Sequence, residues 1–94
     1  MIFTEVPKEI ISFIEDIQEA VLNNFILYNV RFSFNIDAPY SDTAILSFVV
    51  GIEDFSFITC FSYYDVFNII DREGMIRSLV EKVNFFLKER MDGR

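Results

Sequence analysis

Between Pro7 and Asn23 apolar side chains return every third or fourth position. Ile10, Ile14, Ile17 and Val21 form the stripe, Phe13 and Ala20 widen it, and Glu9, Glu15, Asp16 and Glu19 lie off it. That period belongs to a helix with one dry face. Thr4 is placed to cap it, with Pro7 in the first turn where no amide hydrogen is needed. Asn23-Asn24 offers a stop, because asparagine tolerates the left-handed conformation that ends helices. Ile11 and Leu22 fall outside the stripe and predict burial on a second side.

From Tyr28 the period drops to two. Tyr28, Val30, Phe32, Phe34 and Ile36 alternate with Asn29, Arg31, Ser33 and Asn35, the pattern of a half-buried strand. Asp37 to Asp42 is a turn, since Pro39 cannot donate to a ladder. A second strand runs from Thr43 to Glu53, with Ala44, Leu46, Phe48, Val50 and Ile52 on one face. A third runs from Phe55 to Tyr63, with Phe55, Phe57, Phe61 and Tyr63 on one face. If Glu53-Asp54 is a two-residue turn, Ile52 faces Phe55 and the two phenylalanine-rich faces coincide. A longer loop with a bulge near Gly51 is the alternative.

Arg72 to Met91 is helical again, with Ile76, Leu79, Val80, Val83, Phe86 and Leu87 at spacings of three and four. Asp71 is the expected cap, and Lys88, Arg90 and Arg94 suit the negative end of the helix dipole. Asp65 to Ile70 reads as a loop or an extra helical turn. The order helix, three antiparallel strands, helix (αβββα) predicts an α+β two-layer sandwich with both helices on one sheet face.

The 94 residues make one domain, 1–94, because chains divide only at greater length. No repeat or Gly/Ser linker marks a boundary. No apolar run exceeds four residues, so no membrane-spanning helix is expected. The N-terminal residues lack a secretory pattern, which predicts a cytoplasmic location. Twelve phenylalanines supply core, each contributing roughly 1.5–3 kcal/mol when buried.

Candidate chemistry is sparse. There is no histidine and one cysteine, which nearly excludes zinc and leaves no Ser-His or Cys-His pair to assemble. Cys60 falls on the outer sheet face without a cationic neighbour in sequence, and reads as a structural thiol. Glu15 and Glu19, at i and i+4, could hold a hard cation, but no calcium-loop pattern accompanies them. No glycine-rich phosphate loop exists, and Arg72 and Arg77 read as helix surface. Neither metal nor cofactor is expected; an enzyme or small-ligand binder would need a pocket, which Tyr28, Tyr63 and Tyr64 could line with Arg72 or Arg77, but nothing in the spacing demands one. The reading is therefore non-enzymatic.

The net charge is −7, which disfavours direct nucleic-acid binding. Residues 1–24 carry −4, residues 25–65 carry −4, and residues 66–94 carry +1. The acidic side of the first helix, Glu15, Asp16 and Glu19, could therefore attract a basic partner. The outer sheet face offers a second surface, with Ile45, Val49, Ile58 and Cys60 inside a rim of small polar residues. The helix–three-strand–helix order resembles double-stranded-RNA-binding domains in topology only. The place of their phosphate-binding lysines reads Asp71-Arg72-Glu73-Gly74 here.

These observations predict a small acidic protein-interaction module. It would act on a protein partner or by self-association, as a phage or mobile-element inhibitor, an immunity protein or an adaptor does. The alternative is a small structural subunit of an ordered assembly, of the phage tail or head completion type. If the strand faces are assigned correctly, Phe48→Ala truncates the centre of the core and costs about 3–5 kcal/mol in chemical denaturation. A loss below about 1 kcal/mol would place Phe48 on the outside.

Overall fold

In the computed structural model, which describes residues 3–92, the two periods become helix α1 (Lys8–Asn24), strands β1 (Val30–Asp37), β2 (Ile45–Ile52) and β3 (Phe55–Ser62), and helices α2 (Tyr63–Phe67) and α3 (Arg72–Asp92). The sheet is an antiparallel meander in the order β1-β2-β3. The fold is the expected α+β arrangement, with one short helix added. Arg94, expected to favour the end of the last helix, lies outside the described residues.

Helix α1 begins one residue after proline rather than under a threonine cap. Pro7 itself is the capping residue, and its carbonyl accepts from Ile10 N and Ile11 N at 3.0 and 3.3 Å. Its fixed φ of −58° suits this entry, and its missing amide hydrogen is no loss there. Thr4 stays exposed. At the other end Asn24 works through its side chain, donating from Nδ2 to the Ala20 carbonyl at 2.7 Å. The stop is not left-handed, because Phe25 follows at φ −123°. Ile11 and Leu22 are exposed, so α1 buries a single face.

The strands pair without a bulge. Val50 lies opposite Phe32 and Phe57, Phe48 opposite Phe34 and Thr59, and Ile52 closes the hairpin against Phe55. Glu53, the first turn residue, takes φ 55°, a left-handed conformation costly to a side-chain-bearing residue. Neighbouring bonds hold it: Glu53 N donates to Asn29 O, and Asn29 N to Glu53 Oε1, both at 3.0 Å.

Both long helices lie on the face bearing Leu46, Phe48, Val50 and Ile52, all fully buried with Phe13, Ile17 and Val83. The Phe13 ring stands edge-on to Phe48 and Phe61, with centroids 5.9 and 5.3 Å away, a favoured aromatic geometry. Phe57 meets Phe86 of α3 at 6.1 Å. Phe34 shares this face by alternation yet remains 51% exposed. It lies on the edge strand, in a groove with Val6, Ile11, Ile14 and Ile36.

The stretch after β3 turns helical because Ser62 and Asp65 form a capping box. Asp65 N donates to Ser62 Oγ at 3.0 Å, and Ser62 N to Asp65 Oδ2 at 3.1 Å. Tyr63, expected at the end of the strand, instead opens α2. Its hydroxyl donates to Pro39 O at 2.6 Å, and its amide to Ala44 O at 3.1 Å. Asp71 caps α3 as expected, accepting from Gly74 N at 3.0 Å.

Burial first, and the neighbouring Tyr40 second, raise the Tyr63 phenol above its ordinary value. A raised folded value means that the neutral phenol is the form the fold favours. Its contribution is intact below about pH 10, where the unfolded phenol ionises, and is lost as pH rises through the higher folded value. Above pH 10 the wild type should therefore lose stability faster than Tyr63→Phe. At neutral pH the variant should be weaker by about 1 kcal/mol, for the missing bond to Pro39. Parallel pH-dependent denaturation curves would refute this.

Candidate functional site

The register that buries the inner face also composes the outer one. Across β1, β2 and β3 the outer rows read Asp37, Ile45, Ser62, then Asn35, Ser47, Cys60, then Ser33, Val49, Ile58, then Arg31, Gly51, Ser56. No helix covers them, since α1 and α3 share the other side. Ile58 is 65% exposed and Ile45 39%, while Val49 between the outer strands is half-buried. Cys60 is exposed and free, with its Sγ 3.4 Å from Ser47 Oγ. No base accompanies that thiol, so its surroundings are those of a small polar-rimmed patch.

Arg31 is the one cation in these rows, and it is engaged. Its Nη2 donates to Glu53 O at 2.6 Å, bracing the turn residue with positive φ. It reaches across the sheet because Gly51 has no side chain: a Cβ there would stand 2.8 Å from Nη2. A glycine inside a strand commonly marks such a close approach, a signal present in the sequence although the arginine lying over it was not legible. Arg31 thus closes the lower end of the patch and leaves its centre without a free charge.

The acidic residues of α1 are distributed rather than gathered. Asp16 Oδ2 pairs with Arg72 Nη1 at 3.1 Å, tying α1 to α3. The same Arg72 nitrogen donates to Ser12 Oγ at 3.1 Å, and the guanidinium lies 5.7 Å from the Phe13 ring centre. Glu19 stands by the open cleft that Arg72 and Arg77 line, whereas Glu15 borders the groove containing Phe34. Arg72, expected on the helix surface, instead forms a seam between helices. Tyr28, Tyr63 and Tyr64 do not converge either: Tyr63 is buried, Tyr64 is exposed, and Tyr28 borders a separate cleft with Leu27, Leu87 and Met91. Among the described residues no group of carboxylates and cysteine could hold a metal ion, and no helix is long and apolar enough to cross a membrane.

Asp16→Lys should cost more stability than Glu19→Lys, by on the order of 1 kcal/mol, because it breaks a half-exposed ion pair and places two cations together. Thermal or urea unfolding of the two variants checks this; equal losses would mean that the seam contributes nothing.

No protein-family model, no curated protein and no solved structure matches this chain, so its functional reading rests on these residues.

Proposed function

We propose that this protein works by binding another protein, without catalysis, through the outer face of its sheet. One observation carries the reading. On a chain of net charge −7, the uncovered centre formed by Ile45, Val49 and Ile58 has a single carboxylate beside it, Asp37 on the edge strand opposite Ile45, and its one cation, Arg31, is engaged. The solvent-facing side of an antiparallel sheet is ordinarily polar, alternating with the buried one. Cores of protein interfaces are depleted of charged side chains, because desolvating a charge costs more than a contact returns. Ser33, Ser47 and Ser56 around the apolar centre supply short hydroxyls that lose little entropy on binding.

The partner is expected to be a protein with a complementary apolar surface, and the acidic residues outside the patch favour one with basic groups at its rim. An inhibitor, immunity protein or adaptor acts in this way, by occluding or bridging; a phage or mobile-element source fits that reading. Contact with metal, cofactor, membrane or nucleic acid has no part in it.

The test is the double variant Val49→Asp with Ile58→Asp, compared with wild type by circular dichroism and by affinity capture from the native host with mass spectrometry. The fold should persist, since neither side chain faces the helices, and a stoichiometric partner held by wild type should be lost. A folded double variant that keeps the same partner overturns the proposal. Capture of nothing but further copies of the chain by the wild type would favour the assembly-subunit reading instead.

A further inference from the structure

The sheet ends in an open edge. Glu53 N bonds Asn29 O, and Tyr63 N bonds Ala44 O; in an antiparallel ladder these fix the alternation. Odd-numbered residues of β1 bond to β2, so Val30, Phe32, Phe34 and Ile36 turn their main-chain N–H and C=O groups outward. Among the described residues, no turn, loop or side chain bonds to them. Natural edges are guarded by proline, a bulge or charged side chains; β1 has neither proline nor bulge, and its two charges, Arg31 and Asp37, stand near its ends.

We propose that β1 is a dimerisation strand, pairing antiparallel with β1 of a second copy about a two-fold axis at Phe34 to make one continuous sheet. Phe34 would then oppose Phe34, and Phe32 would oppose Ile36 on either side, each exchanging main-chain hydrogen bonds. On the inner face this brings together the exposed phenylalanine rings beside the groove of Val6 and Ile11. On the outer face Ser33 would oppose Asn35.

Charge selects both the occupant and the register. With the axis at Phe34, Arg31 stands opposite Asp37 of the other copy, twice per dimer. Within one chain these residues are separated by six strand positions, about 20 Å, so they can meet only between copies. In the single chain Arg31 lies over Gly51 and donates to Glu53 O; in the dimer its side chain would swing from there to the edge and exchange that bond for the partner copy's Asp37. Moving the axis to Ser33 would leave Arg31 opposite Asn35, and a one-residue slip would set Phe34 against polar side chains. The edge of β3 has no charged residue to select a register, and its inner Phe57 is engaged with Phe86. The dimer goes beyond the binding reading above: it would set two outer patches side by side on one sheet.

Sedimentation and light scattering across concentration test it. Wild type should dimerise. Asp37→Arg, which sets an arginine against Arg31 of the other copy at each end of the pairing, should weaken the dimer about tenfold, two pairs being affected. Adding Arg31→Glu should return it to within about threefold of wild type, which a purely structural effect of either change would not do. In a Cys60→Ser background, Ser33→Cys with Asn35→Cys should crosslink copies on oxidation, because facing positions of this kind lie about 4.5 Å apart. Ser33→Cys alone should not. A monomer up to about 1 mM, failure of the charge swap to rescue, or efficient crosslinking by Ser33→Cys alone overturns the proposal. Val49→Asp with Ile58→Asp should leave the dimer intact; a dimer lost there and kept in Asp37→Arg would assign self-contact to the sheet face and overturn the edge.

Discussion

The two-residue turn at Glu53-Asp54 is the constraint on which the structure depends. By setting Ile52 against Phe55, it puts the phenylalanines of β3 on the same side as Leu46, Phe48 and Val50. A slip by one residue would turn every side chain of one strand to the other face. The core would then lose its aromatics, and the outer face would gain them. The turn itself is not of a preferred composition, because Glu53 bears a left-handed φ without being glycine or asparagine. Its cost is offset by bonds from Asn29 and Arg31 to the same residue.

This division explains why so much of the fold was legible in the amino-acid order. Periods of two and of three to four reflect burial on one face, and here each long element buries one face only. The bounds of the helices and strands accordingly fall within two residues of those expected. What escaped was local hydrogen bonding, which leaves no periodic trace. Helix α2 rests on the reciprocal bonds of Ser62 and Asp65, and the ends of α1 rest on Pro7 and the Asn24 side chain. Phe34 obeys the alternation but not the burial, because a strand pattern identifies a face and cannot say that the strand lies at an edge.

The candidate surface divides in the same way. Val49 opposite Ile58, and Ser47 opposite Cys60, followed from turn parity alone and recur in the observed register. The α1 carboxylates were close in sequence, but proximity along a helix says nothing of what comes to meet them. Arg72 arrives from 56 positions away and takes up Asp16, while Glu15 and Glu19 border different hollows. Long-range ion pairs of this kind are invisible to any local pattern.

That separation of 56 positions also describes how the molecule is closed. Each strand pairs with its neighbour in sequence, so the meander needs only short loops, and its entropic cost of closure is small. The contact between α1 and α3 encloses the whole sheet and must be made across it. The sheet is thus assembled from local steps, and the helical layer is sealed by one distant step, held at the surface by a half-exposed ion pair. Opening at that seam would part the two helices while each stays on its own strands, Phe13 on Phe48 and Phe61, and Phe86 on Phe57, so a local opening of the helical layer can leave every strand pairing in place.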